Sequence, residues 1–70
     1  MQNPSSVNHV NQYARYAIGA VRAERACRYG DAAELWAKAQ ISPCEAHQRK
    51  WAMHRRAYCL RGSELKWGNK

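Results

Sequence analysis

The sequence predicts an all-α fold of three helices in one domain. Three observations predict it. Threonine and phenylalanine are absent and no Val/Ile-rich alternating run exists, so no segment has the pattern of a strand. Alanine is the commonest residue and arginine the next, and both favour helix. Apolar residues recur at three- and four-residue steps in segments divided by helix start and stop signals.

The first helix is expected to start near Ser6 or Asn8, both suited to an N-cap. Residues 1–7, with Asn3, Pro4, Ser5 and Ser6, read as a flexible arm or a helix entry. Val10, Tyr13, Tyr16, Ala17, Ala20 and Ala23 then form an amphipathic stripe. Two readings of its end compete. One breaks the helix around Cys27 and Arg28. The other runs it to Tyr29, with Gly30 after the cap and Asp31 and Glu34 as a capping box. The first is preferred. It starts the second helix near Tyr29 and ends it at Gln40, with Ala32, Leu35, Trp36 and Ala39 buried.

Ser42, Pro43 and Glu45 read as an N-cap, a first-turn proline and a third-position acid, so the third helix is expected over 43–61, stopped by Gly62. Short turns make neighbouring helices antiparallel. The single domain is expected over 8–61 and a fraying C-terminal tail over 62–70, with docking of Leu65 and Trp67 as the alternative. On the third helix, Cys44, His47, Gln48, Trp51, Arg55, Tyr58 and Cys59 fall on one face and Met53, Ala57 and Leu60 on another. Lys50, His54 and Arg61 form a polar stripe between them, and Arg49 and Arg56 flank the second patch. Trp36, Trp51, Tyr58 and Tyr29 are expected to build the core. The Met53/Leu60 patch, with Arg49 and Arg56, is the expected contact surface for a partner or a second copy.

Composition narrows the function classes. A chain of 70 residues buries only about 60% of its unfolded surface, which leaves no room for a deep catalytic pocket. No Gly-rich loop, paired carboxylates or oxyanion device is present, so no enzyme and no cofactor are expected. Cys44 and His47, and His54 and Cys59, lack the four-ligand spacing of a zinc site, so no metal is expected either. The odd set Cys27, Cys44 and Cys59 reads as reduced thiols in the cytoplasm. The longest run without charge, 1–14, is polar, and neither a leader nor a membrane role is expected. Lysine and arginine outnumber acids 12 to 5, a net charge of +7 that calls for an anionic partner. Arg49, Lys50, Arg55, Arg56 and Arg61 are the residues that would meet phosphates if that partner is DNA. Arg55, bracketed by Trp51, Tyr58 and Cys59, needs a counter-charge if buried, and Glu34 or Glu24 is in reach across the hairpin.

Two resemblances follow from these residues. Ala23 to Tyr29, then Ala32, Ala33, Glu34, Leu35, Trp36 and Ala39, look like one tetratricopeptide-type hairpin, with small residues at the close approach, large ones in the groove and Pro43 after it. One such unit needs a third helix or a second subunit to cover its face. The span 16–60, about two thirds of the chain, resembles the ANR family of negative regulators of AraC/XylS-type activators, and is similar to the related PerC-like virulence regulators. The residues that carry this are Tyr29, Ala32, Ala33 and Trp36, then Trp51, Arg55 or Arg56, and Cys59. The chain departs from that pattern at Cys27, where the family has glycine, and at Pro43 and Cys44.

The resemblance implies a bacterial transcription regulator that binds an AraC-type activator, and for some members the nucleoid protein H-NS, and blocks activator dimerisation or DNA binding. A homodimer is expected. The competing expectation is a basic, DNA-binding activator of the PerC-like type.

Overall fold

The computed structural model describes residues 4–68, with side chains described from residue 12 onward. Three helices follow in order: α1 at Pro4–Arg25, α2 at Tyr29–Gln40 and α3 at Ala46–Glu64. No strand occurs among the described residues. The predicted fold class holds. α2 is the middle element, packed against α1 on one side and α3 on the other.

α1 starts at Pro4, upstream of the caps expected at Ser6 or Asn8. Residues 4–7 of the expected arm therefore belong to the helix, and residues 1–3 lie outside the described chain. The fixed φ of proline suits a first helical turn, which needs no N–H from it. The stripe reads as expected from Tyr13 on. Tyr13 and Ala20 are buried, and Tyr16, Ala17 and Ala23 pack against the core. The side chain of Val10 lies outside the described set.

The helix ends at the first of the two predicted turns. Arg28 N–H donates to Ala23 C=O (2.8 Å) and Cys27 N–H to Glu24 C=O (2.9 Å), the paired bonds of a Schellman turn. Cys27 takes the left-handed residue at φ 61°. A side chain there costs roughly 1–2 kcal/mol relative to right-handed backbone. Gly30 is not the turn but lies in the first turn of α2. Asp31 does not build the capping box with Glu34. It accepts from Arg28 at 2.9 Å, an exposed pair worth about 1 kcal/mol at most.

α2 buries Ala32, Ala33, Trp36 and Ala39. Ala33 is added to the expected set because α2 is covered on two sides. Leu35 is half-buried and lies over Gly19, where a Cβ would stand 3.3 Å from its Cδ1. Small residues thus set the α1–α2 spacing.

The start of α3 corrects the sequence reading. Ser42 does not cap it. Ser42 is buried, and its Oγ donates back to Lys38 C=O at 2.8 Å, closing the end of α2. Glu45 is the N-cap, and its N–H donates to Gln48 Oε1 at 2.9 Å. Pro43 and Cys44 fall in the connecting turn.

Gly62 does not stop α3. It is buried within the helix, and the helix closes two residues later with a second Schellman turn. Trp67 N–H donates to Gly62 C=O (2.9 Å) and Lys66 N–H to Ser63 C=O (3.2 Å), with Lys66 left-handed at φ 58°. The role of Gly62 is space. A Cβ there would stand 2.5 Å from Trp67 Cε3 and 3.0 Å from Tyr29 Cγ. The expected fraying does not hold at Trp67, which docks back edge-on to Tyr29 at 5.5 Å and tilted against Tyr58 at 5.0 Å, whereas Leu65 is exposed.

Candidate functional site

The buried line of α3 is Gln48, Ala52, Arg55, Cys59 and Gly62, partly or fully covered at steps of four and three. It is small and polar, not apolar. Trp51 and Tyr58 are therefore not core residues as expected. They stand on the shoulder of the helix, 55% and 42% exposed. A helix rotates about 100° per residue, so a side chain next to Ala52 in sequence points well away from the seam.

The polar centre of the fold is Glu24, on the inner face of α1. Its Oε2 accepts from Trp36 Nε1 at 2.7 Å, from Cys59 Sγ at 3.2 Å and from Arg55 Nε at 3.3 Å. Its Oε1 pairs with Arg55 Nη2. One carboxylate thus ties all three helices, and of the two partners proposed for Arg55 it is Glu24, not Glu34. Burial raises the Glu24 carboxyl, but the hydrogen bonds from Arg55, Trp36 and Cys59, with the Arg55 charge, prevail and hold it below its ordinary 4.5. Burial and the neighbouring carboxylate push the Cys59 thiol up to about 12, so it stays protonated and serves as a donor. The Arg55 guanidinium also lies over the Tyr58 ring (4.2 Å) and beside Trp51 (5.6 Å).

Arg49 is also tied to the chain. Its Nε donates to Gln40 C=O at 2.9 Å and its Nη2 to Ser42 C=O at 3.3 Å, satisfying carbonyls at the end of α2. Of the five cations expected to meet phosphate, Lys50, Arg56 and Arg61 remain exposed without such a bond, and they do not share one face of α3. Met53 and Leu60 are 49% and 44% exposed, one helical face apart from Trp51.

A concavity that the sequence analysis does not anticipate lies beside α2. α1 and α3 each pack mainly on α2 and meet one another through the side chains of Tyr13 and Glu24, and a groove of about 510 Å³ opens between them. Tyr13, Ala17 and Trp36 line its depth, Ile18 and Val21 one wall, Trp51 the other. The signal was present in α1. Ile18, Val21, Arg22 and Arg25 form a second stripe beside the core stripe. Tyr13 anchors the base by donating its hydroxyl to Gln48 C=O at 2.9 Å.

Among the described residues no three His, Cys, Asp or Glu side chains are placed to hold a metal ion. No described helix is long and apolar enough to cross a membrane. The geometry defines a class, a three-helix domain with uncovered apolar surface and a strongly basic exterior. No family model, no curated protein and no solved structure matches this chain.

Proposed function

We propose that the chain is a small bacterial regulator that acts by protein–protein contact, binding an AraC/XylS-type activator and preventing its dimerisation or DNA binding. The observation that carries this is the large apolar surface a 70-residue chain leaves uncovered beside its cations: Ile18, Val21 and Trp51, next to Arg22 and Arg25. The residues behind the ANR resemblance support the partner class. Tyr29, Ala32, Trp36, Arg55 and Cys59 meet in or around the Glu24 cluster and hold the helices that present these surfaces. Met53 and Leu60, with Arg56 beside them, are the candidate for self-association. A nucleoid protein such as H-NS is the second candidate partner, and the cytoplasm is the proposed compartment.

The test uses purified chain, an AraC-type activator from the same genome, and its promoter DNA. The expected result is a complex with the activator and loss of the activator–DNA shift, with no shift by the chain alone. A shift by the chain alone whose affinity falls steeply with salt would replace this reading with direct DNA binding through Lys50, Arg56 and Arg61. No complex with the activator under conditions where the activator binds DNA would overturn the reading.

A further inference from the structure

We infer that the groove between α1 and α3 is the docking site for an acidic amphipathic helix of the partner protein. The inference deepens the protein-contact reading and rests on it. The groove has the form of a bundle with one position vacant. Two helices flank a third, and the seam between them is floored by Tyr13 and Trp36. On α1 it runs from Tyr13 to Arg25, about 18 Å at the helical rise, which matches some three turns of a partner helix. Its walls carry Ile18 at 54%, Val21 at 37% and Trp51 at 55% exposure. These would receive apolar side chains at the three- and four-residue spacing of a helix-in-groove contact.

Trp51 is prepared for this. Arg55 stands beside its ring, and Glu24 fixes Arg55 in turn. A large aromatic already braced loses little side-chain freedom on binding, which is the usual character of an interface anchor.

Charge selects the occupant. Arg22 and Arg25 rim the groove, and His47 stands at the far end, whereas no carboxylate lines it. A second copy would bring another +7 chain. Packed symmetrically through the same groove, it would set four arginines against one another. A partner helix with glutamates or aspartates flanking its apolar stripe would meet Arg22 and Arg25 instead.

The experiment uses the full chain and a stapled amphipathic peptide of about four turns, with a leucine stripe flanked by glutamates. A second peptide carries lysines in place of the glutamates. Binding is read by fluorescence anisotropy of the labelled peptides, on wild type, Ile18→Glu, Trp51→Ala and the double variant Met53→Glu/Leu60→Glu. Circular dichroism checks that each variant keeps its helix content. The glutamate peptide is expected to bind wild type at least tenfold more tightly than the lysine peptide. Ile18→Glu and Trp51→Ala should each weaken it about tenfold or more, and Met53→Glu/Leu60→Glu less than twofold.

Equal binding of both peptides, no binding of either, or loss only in Met53→Glu/Leu60→Glu overturns the proposal. So does a sedimentation result in which wild type dimerises and Ile18→Glu is monomeric, because the occupant is then a second copy. The activator is absent from this assay. Peptide binding without activator binding therefore rejects the partner class alone, and activator binding that survives Ile18→Glu rejects the groove alone.

Discussion

Glu24→Ala is the substitution that tests the internal organisation most directly. The Glu24 side chain is only 14% exposed and its partner Arg55 27%. Removing the carboxylate leaves three donors without it. The indole N–H of Trp36, a residue 1% exposed, loses its acceptor, at a cost of about 1–3 kcal/mol. Arg55 keeps some solvent and its aromatic neighbours, so its loss falls well short of a fully buried pair, at about 1–2 kcal/mol. The Cys59 thiol is a weak donor and adds little. The sum is about 2–5 kcal/mol, against a total of about 4–10 kcal/mol for a chain this size. Urea unfolding followed by circular dichroism at pH 7 reads it directly.

Glu24→Gln separates charge from hydrogen bonding. It retains an acceptor for Trp36 and should cost about half as much. The pH dependence supplies an independent sign. Because the Glu24 carboxyl is lowered on folding, its contribution is fully present above its ordinary 4.5 and is lost as pH falls below that value. The wild type should therefore lose stability more steeply than Glu24→Gln on acidification. A cost below about 1 kcal/mol for Glu24→Ala, or parallel acid limbs for wild type and Glu24→Gln, would refute the reasoning.

Three further outcomes follow from the geometry. Gly62→Ala should destabilise by about 1–3 kcal/mol, despite alanine's better helix propensity, because its methyl meets Trp67 and Tyr29; a raised melting temperature would show that the tail does not pack there. Lys66→Gly should stabilise by about 0.5–1 kcal/mol by relieving the left-handed φ at the end of α3, read as a higher urea midpoint. Cys59, buried and pushed up to about 12, should resist alkylation at pH 8 in the folded chain, while exposed Cys27 reacts; mass spectrometry of the tryptic peptides counts the label at each, and equal labelling would contradict the buried cluster.

The helices were legible because α1 and α2 carry their packing in apolar and alanine periodicity. Tyr13, Ala20, Ala32, Trp36 and Ala39 could all be read as inward from spacing alone. α3 was harder for a definite reason. Its inner line uses glutamine, alanine, arginine, cysteine and glycine, so the apolar residues mark its shoulders and mislead a search for the core. Trp51 is one of these shoulder residues. The turn at Cys27 was found in spite of its residue type, whereas Ser42, Pro43 and Glu45 gave a helix start three residues too early. Ser42 Oγ was already engaged by Lys38, a contact between side chain and helix end that no local motif announces. The groove has no local sequence signature because it belongs to two helices far apart in sequence.

The position of α2 between its two neighbours has a kinetic consequence. Each helix packs mainly on the one beside it in sequence, α1 on α2 and α2 on α3. Such local connectivity belongs to chains that fold in about microseconds to milliseconds, since little loop must be closed before contacts form. Among the described residues, the bonds spanning the greatest sequence distance are Tyr13 to Gln48, and Glu24 to Arg55 and Cys59. They join α1 to α3, the two elements that touch least, and so complete an assembly whose order is already set by neighbours along the chain.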